Sequence, residues 1–189
     1  MKALTVVPGS LAQQAKDSGK SLAETFVSAD AIILVDCSGS MGNDDAGPEH
    51  NEARYKVALR ELAALQKAMP GKIAVIGFDD QVQFFPGGQP TWMGGGTDLA
   101  KALRFAKVAD VSGMRFVLIC DGYPDSAEAA LQVASTYQNR IDTIFIGDPN
   151  SRDAIAFLKR LAEISGGAPV VASGVAQLAA QTQRLLLAA

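Results

Sequence analysis

The sequence is short of cysteine, shorter of histidine, and without a long apolar run, and each shortage closes a class of function. Its two cysteines, Cys37 and Cys120, cannot make a disulfide scaffold, and no CxxC pair is present. A single histidine, His50, leaves no material for a histidine-rich zinc site. No stretch approaches the roughly 20 apolar residues of a membrane-spanning helix. Positive charge is not in excess: 17 Lys and Arg stand against 20 Asp and Glu, for a net charge of -3. A basic footprint for nucleic acid or an anionic membrane is therefore missing. The apolar run before Pro8-Gly9 is too short for the core of a secretory leader. The expectation is a soluble, cytoplasmic protein.

What remains is ordinary globular material. Apolar residues make up 48% of the 189 and charged residues 20%, enough for a buried core without metal or disulfide staples. Residues 1–28 read as a polar lead-in, with a helix expected over 10–26 that Gly19 weakens. Residues 29–189 read as one domain. Continuous apolar runs at 31–36, 72–78, 114–121 and 141–147 suit strands buried on both faces. A short strand over 81–85, reached by a tight turn at Asp79-Asp80, suits an antiparallel edge, and a last short strand is expected over 168–172. Helical spacing fits 52–69, 98–107, 126–138, 151–164 and 174–187. In the first of these Tyr55, Ala58, Leu62, Leu65 and Met69 face inward, and Arg54, Lys56, Arg60 and Lys67 are the solvated side.

Strands alternating with helices predict an α/β fold: a doubly wound, mostly parallel six-stranded sheet with one short antiparallel edge strand and helices on both faces. In such sheets ligands bind beyond the carboxyl ends of the strands, where the winding reverses. Three segments put polar side chains there: Asp36-Cys37-Ser38-Gly39-Ser40, Gly94-Gly95-Gly96-Thr97-Asp98 and Asp121-Gly122-Tyr123-Pro124-Asp125. A carboxylate ending a buried strand is costly without a partner, and two converging would repel. A divalent cation relieves both. Carboxylate and hydroxyl oxygens are hard ligands, suited to Mg2+, Mn2+ or Ca2+.

These segments, with Met41 after the first and Leu99 after the second, resemble the three pieces of the metal-ion-dependent adhesion site of von Willebrand factor A domains. The resemblance covers about residues 30–189. It implies a Rossmann-like fold and a metal held by Asp36, Ser38, Ser40, Thr97 and Asp121, with the serine hydroxyls as direct ligands and Asp36 often acting through water. Neutral hydroxyls leave the ion's charge only partly balanced, so one position stays open for a Glu or Asp carboxylate of a partner protein. The resemblance also implies that Thr97 can move toward the ion as charge arrives. Stand-alone prokaryotic members look like adaptors beside AAA+ ATPases of the MoxR type, or beside kinases and phosphatases.

Two other functions compete with a binding module. A metal-dependent phosphohydrolase would use Asp36 as phosphoryl acceptor, but Ser38 stands where a second acid is wanted and no lysine is placed for a phosphate. A serine hydrolase lacks G-x-S-x-G and has only His50 as base. A structural subunit would use the metal for stability alone. The expectation is a non-enzymatic module. Among the remaining polar residues, Asp98 reads as a helix first-turn residue and Asp125 with Glu128 as a capping pair. Asp79 and Asp80 read as turn residues, His50 as a loop histidine, and Asp44, Asp45, Glu49 and Glu52 as solvated surface. Cys37 and Cys120 read as small buried thiols. Trp92 and Met93 fit either an exposed rim or packing under the glycine loop.

Overall fold

The computed structural model describes residues 5–46 and 51–171. Two short helices open it, α1 (Leu11–Ser18) and α2 (Leu22–Val27). The single helix expected over 10–26 is thus broken. Gly19 takes a left-handed conformation that caps α1, and Ser21 with Glu24 forms a capping box that starts α2. Strand β1 (Ala31–Asp36) follows, then a 3-10 turn over Gly39–Gly42. The small strands β2 (Asp44–Ala46) and β3 (Glu52–Ala53) pair antiparallel, so α3 (Arg54–Ala68) begins two residues later than its periodicity suggests. The chain continues through β4 (Ile73–Phe78), β5 (Val82–Phe84), α4 (Leu99–Ala106), β6 (Arg115–Cys120), α5 (Ala127–Ala134), β7 (Ile141–Phe145), α6 (Arg152–Ile164) and β8 (Pro169–Val171). The helix expected over 174–187, together with Glu49 and His50, lies outside the described residues.

Among the described residues the main sheet has six strands in the order β5-β4-β1-β6-β7-β8. All neighbours are parallel except β5, which runs antiparallel to β4 at the edge. Alternation along β1 explains its unbroken apolar run. Ile32 and Leu34 enter a core with Phe78, Leu103, Phe116 and Leu158, beneath α4 and α6. Ala31, Ile33 and Val35 enter a second core with Val57, Leu62 and Leu65 of α3. Both faces of the strand are therefore dry.

The lead-in belongs to this body rather than hanging from it. Leu11 is buried in the first core, and Val7 and Ala12 donate backbone hydrogen bonds to the carbonyls of Gly87 and Pro86. Helix α5 is shorter than its sequence pattern: Ala127 is exposed, and Tyr137 lies beyond the helix end with its ring edge-on to Phe116 at 4.9 Å.

The order of the strands decides where chemistry can sit. From β1 the chain steps to β4 on one side, then crosses to β6 on the other. The winding reverses between β1 and β6, so the crevice opens above their carboxyl ends. Those ends are Asp36 and Cys120-Asp121.

Candidate functional site

Asp36 ends β1 with its side chain fully buried. One carboxylate oxygen, Oδ1, accepts the Ser38 N–H at 2.8 Å. The other, Oδ2, is buried with no hydrogen-bond partner. Burial pushes this carboxyl up to about 7. The Ser38 bonds oppose the shift, and the negative charges of Asp121 and Asp79 add to it. An orphaned buried carboxylate oxygen calls for a proton or a cation.

Ser38 is buried and Ser40 half-buried, and their hydroxyl oxygens lie 3.2 Å apart. Two adjacent ligands of an octahedral Mg2+ at about 2.1 Å from the ion are about 3.0 Å apart, so the pair suits one edge of such a shell. Among the described residues, no three carboxylate, thiol or imidazole groups lie close enough to hold a metal. An ion here would lean on hydroxyls, which favours a hard dication and disfavours zinc.

The glycine loop is laced onto this turn. Gly94 donates its N–H to the Cys37 carbonyl at 2.9 Å, Gly39 donates to the Gly95 carbonyl at 2.9 Å, and the Trp92 indole donates to the Ser38 carbonyl at 3.1 Å. Trp92 is half exposed over the turn while Met93 packs against the second core, so each of the two readings fits one residue. Thr97, at the end of the loop, is buried. Asp98 rather than Thr97 caps α4, accepting the Lys101 N–H at 2.9 Å. Thr97 is thereby released from the capping role a threonine often fills at such a boundary.

Three carboxylates hold the loop from outside. Asp79 accepts from Gly95 N–H and Asp80 from Gly96 N–H, both at 3.1 Å, and Asp125 accepts from Thr97 N–H at 3.0 Å. Asp79 is also the turn residue expected, accepting the Gln81 N–H at 2.7 Å. The capping role expected of Asp125 is overturned, because Ser126 caps α5 and leaves Asp125 free to reach Thr97. A side chain at Gly95 would place its Cβ 2.5 Å from Asp80 Oδ2 and 2.7 Å from Asp79 Oδ2, so only glycine admits this grip.

Asp121 is fully buried, and its carboxylate is already engaged. Arg54 donates from Nη1 to Asp121 Oδ2 at 2.7 Å, and from Nε and Nη2 to the two carboxylate oxygens of Asp45 at 2.6 and 2.5 Å. The solvated reading of Arg54 is overturned: the residue is only 6% exposed. Asp45 likewise is half-buried in this pair, and Glu52 is bound by Arg60. Sequence held one signal for Arg54. A cation in the first turn of a helix, where the expected span 52–69 already puts Arg54, opposes the helix dipole and makes a purely helical role costly. Cys37 and Cys120 are free buried thiols, and burial pushes Cys37 up to about 12 and Cys120 upward as well.

This fold is that of von Willebrand factor A domains: a von Willebrand factor type A structure from Catenulispora acidiphila superposes with a TM-score of 0.60 at 16% identity, over 82% of this chain and 41% of that one. An aerotolerance-related membrane protein from Bacteroides fragilis superposes with a TM-score of 0.69 at 16% identity, over 84% of this chain and 98% of that one. BatB from Bacteroides thetaiotaomicron gives 0.62 at 15% identity, over 82% and 97%. The manganese-loaded TRAP protein of Plasmodium vivax gives 0.60 at 18% identity, over 84% and 73%. No protein-family model matches the sequence, and no curated protein matches it. Among the described residues no helix is long and apolar enough to cross a membrane.

Proposed function

We propose that the protein is a divalent-metal-dependent protein-binding module, with the ion held by Asp36, Ser38, Ser40, Thr97 and Asp121. The observation that carries this reading is the unpartnered, buried Oδ2 of Asp36 beside the Ser38–Ser40 hydroxyl pair. A hard dication supplies the missing partner, and the likeness in fold to a protein solved loaded with manganese supports it. Mg2+, Mn2+ and Ca2+ all suit the donors. The ion would supply a Lewis-acidic position to which a Glu or Asp carboxylate of a partner protein binds. The reading is of an adaptor without catalysis. Ser38 stands where a phosphohydrolase wants a second acid.

Calorimetric titration of Mn2+, followed by an acidic peptide, tests the proposal. Wild type should take up the ion and then the peptide. Asp36→Ala should take up neither while keeping its circular dichroism. Peptide binding that persists unchanged in EDTA would reject it.

A further inference from the structure

Arg54 is spent on the site rather than on its own helix. Its guanidinium bridges Asp45 and Asp121 and comes within 3.5 Å of the Ser40 carbonyl, itself on the metal-binding turn. Of the two carboxylates in the ligand set, one is therefore already paired with a cation and the other has a bare oxygen. That asymmetry changes the charge arithmetic. Counting the Asp45 carboxylate that shares the guanidinium, three carboxylates and a guanidinium leave two negative charges, which a dication cancels. Without Arg54 the loaded site would carry one negative charge.

We propose that Arg54 is a resident counter-cation, anchored by Asp45, that weakens binding of the bare ion and keeps the loaded site from turning anionic. Metal and anionic ligand then bind as mutually dependent events. The ion alone meets a positive neighbour in a poorly screened interior, and a carboxylate ligand removes that penalty. By linkage, the factor by which carboxylate tightens metal equals the factor by which metal tightens carboxylate. The module thus discriminates for acidic partners through its own fixed charge as well as through the metal. This inference rests on the metal-binding reading above and adds a role for a residue outside the ligand set.

The test is titration of MnCl2 into the full chain, with and without sodium acetate at constant ionic strength, reading free Mn2+ by electron paramagnetic resonance. The proteins are wild type, Arg54→Gln, Arg54→Lys and Asp36→Ala. Glutamine keeps a donor for Asp121 and removes the charge. Arg54→Gln should bind Mn2+ alone about tenfold more tightly than wild type, and acetate should add little. Arg54→Lys should stay near wild type, with acetate still tightening the ion. If Arg54→Gln folds only when Mn2+ is present, the ion has replaced the arginine, and the inference stands. Wild-type affinity and wild-type acetate dependence in Arg54→Gln overturn it, as does a variant that stays unfolded with Mn2+ present. Failure of the metal reading looks different: wild type then takes up no Mn2+ even with acetate, and is indistinguishable from Asp36→Ala.

Discussion

Thr97 and Asp125 hold one another by two reciprocal hydrogen bonds. The Thr97 N–H donates to Asp125 Oδ1 and the Asp125 N–H donates to the Thr97 carbonyl, both at 3.0 Å. The threonine of the proposed ligand set is therefore tied to the loop after β6, the same loop that begins with Asp121. Removing the carboxylate should loosen Thr97 without disturbing either core. Asp125→Ala should weaken Mn2+ uptake several-fold and lower stability by about 1–2 kcal/mol, the worth of a charge-assisted bond on a partly exposed site. Parallel calorimetry and urea melts check this, and unchanged metal affinity would remove Asp125 from the positioning of Thr97.

Gly95→Ala tests the grip from the other side. The added methyl would overlap the Asp79 and Asp80 carboxylates and push the loop off its anchors. Stability should fall modestly, since the loop is surface chain, while uptake of Mn2+ should drop at least tenfold. An alanine variant that binds the ion as wild type does would show the loop to be indifferent to those anchors.

The raised carboxyl of Asp36 predicts a pH dependence of fixed sign. In the folded protein it titrates near 7, whereas an unfolded aspartate titrates near 3.9. Between those values the folded state holds a proton that the unfolded chain has released. The contribution is complete below about pH 4 and is lost as pH rises through 7, by up to about 4 kcal/mol. In EDTA, melting temperature should therefore decline from pH 5 to pH 8. With Mn2+ present the decline should flatten, because the ion takes the place of the proton. Melts at four pH values with EDTA or Mn2+ decide it, and an increment from Mn2+ that is equal at pH 5 and pH 8 would contradict the assignment.

Leu34→Ala addresses the frame beneath the site. Leu34 is fully buried on β1, the strand that carries Asp36, and the vacated space is lined on one side by sheet and cannot readily collapse. A loss of about 2–5 kcal/mol is expected in denaturant unfolding, with metal affinity of the folded fraction close to wild type.

The legible part of this protein was whatever depends on local pattern. Ala31–Asp36 is apolar throughout because both faces are covered, and such a run announces a central strand before any neighbour is known. Asp36-x-Ser38-x-Ser40 could be picked out because hydrophobicity stops there and alternate polar side chains begin. The partition of polar residues was not legible in the same way. Asp125 reads as a cap because Glu128 follows at the right spacing, yet Ser126 takes that role. Arg54 reads as solvated because its neighbours at helical spacing are, and its partner Asp121 lies 67 residues away.

The strands of the main sheet, the helices between them, the antiparallel edge and the three polar segments follow from the amino-acid sequence alone, whereas the β2–β3 pair and the break between α1 and α2 do not. The former rest on periodicity and turn chemistry, which act over a few residues. That Asp36 keeps a bare oxygen, that three carboxylates cradle the amides from Gly95 to Thr97, and that a guanidinium sits on Asp121 were decided by the tertiary structure. Each depends on segments far apart in the chain meeting in a crevice that exists only once β1 and β6 lie side by side.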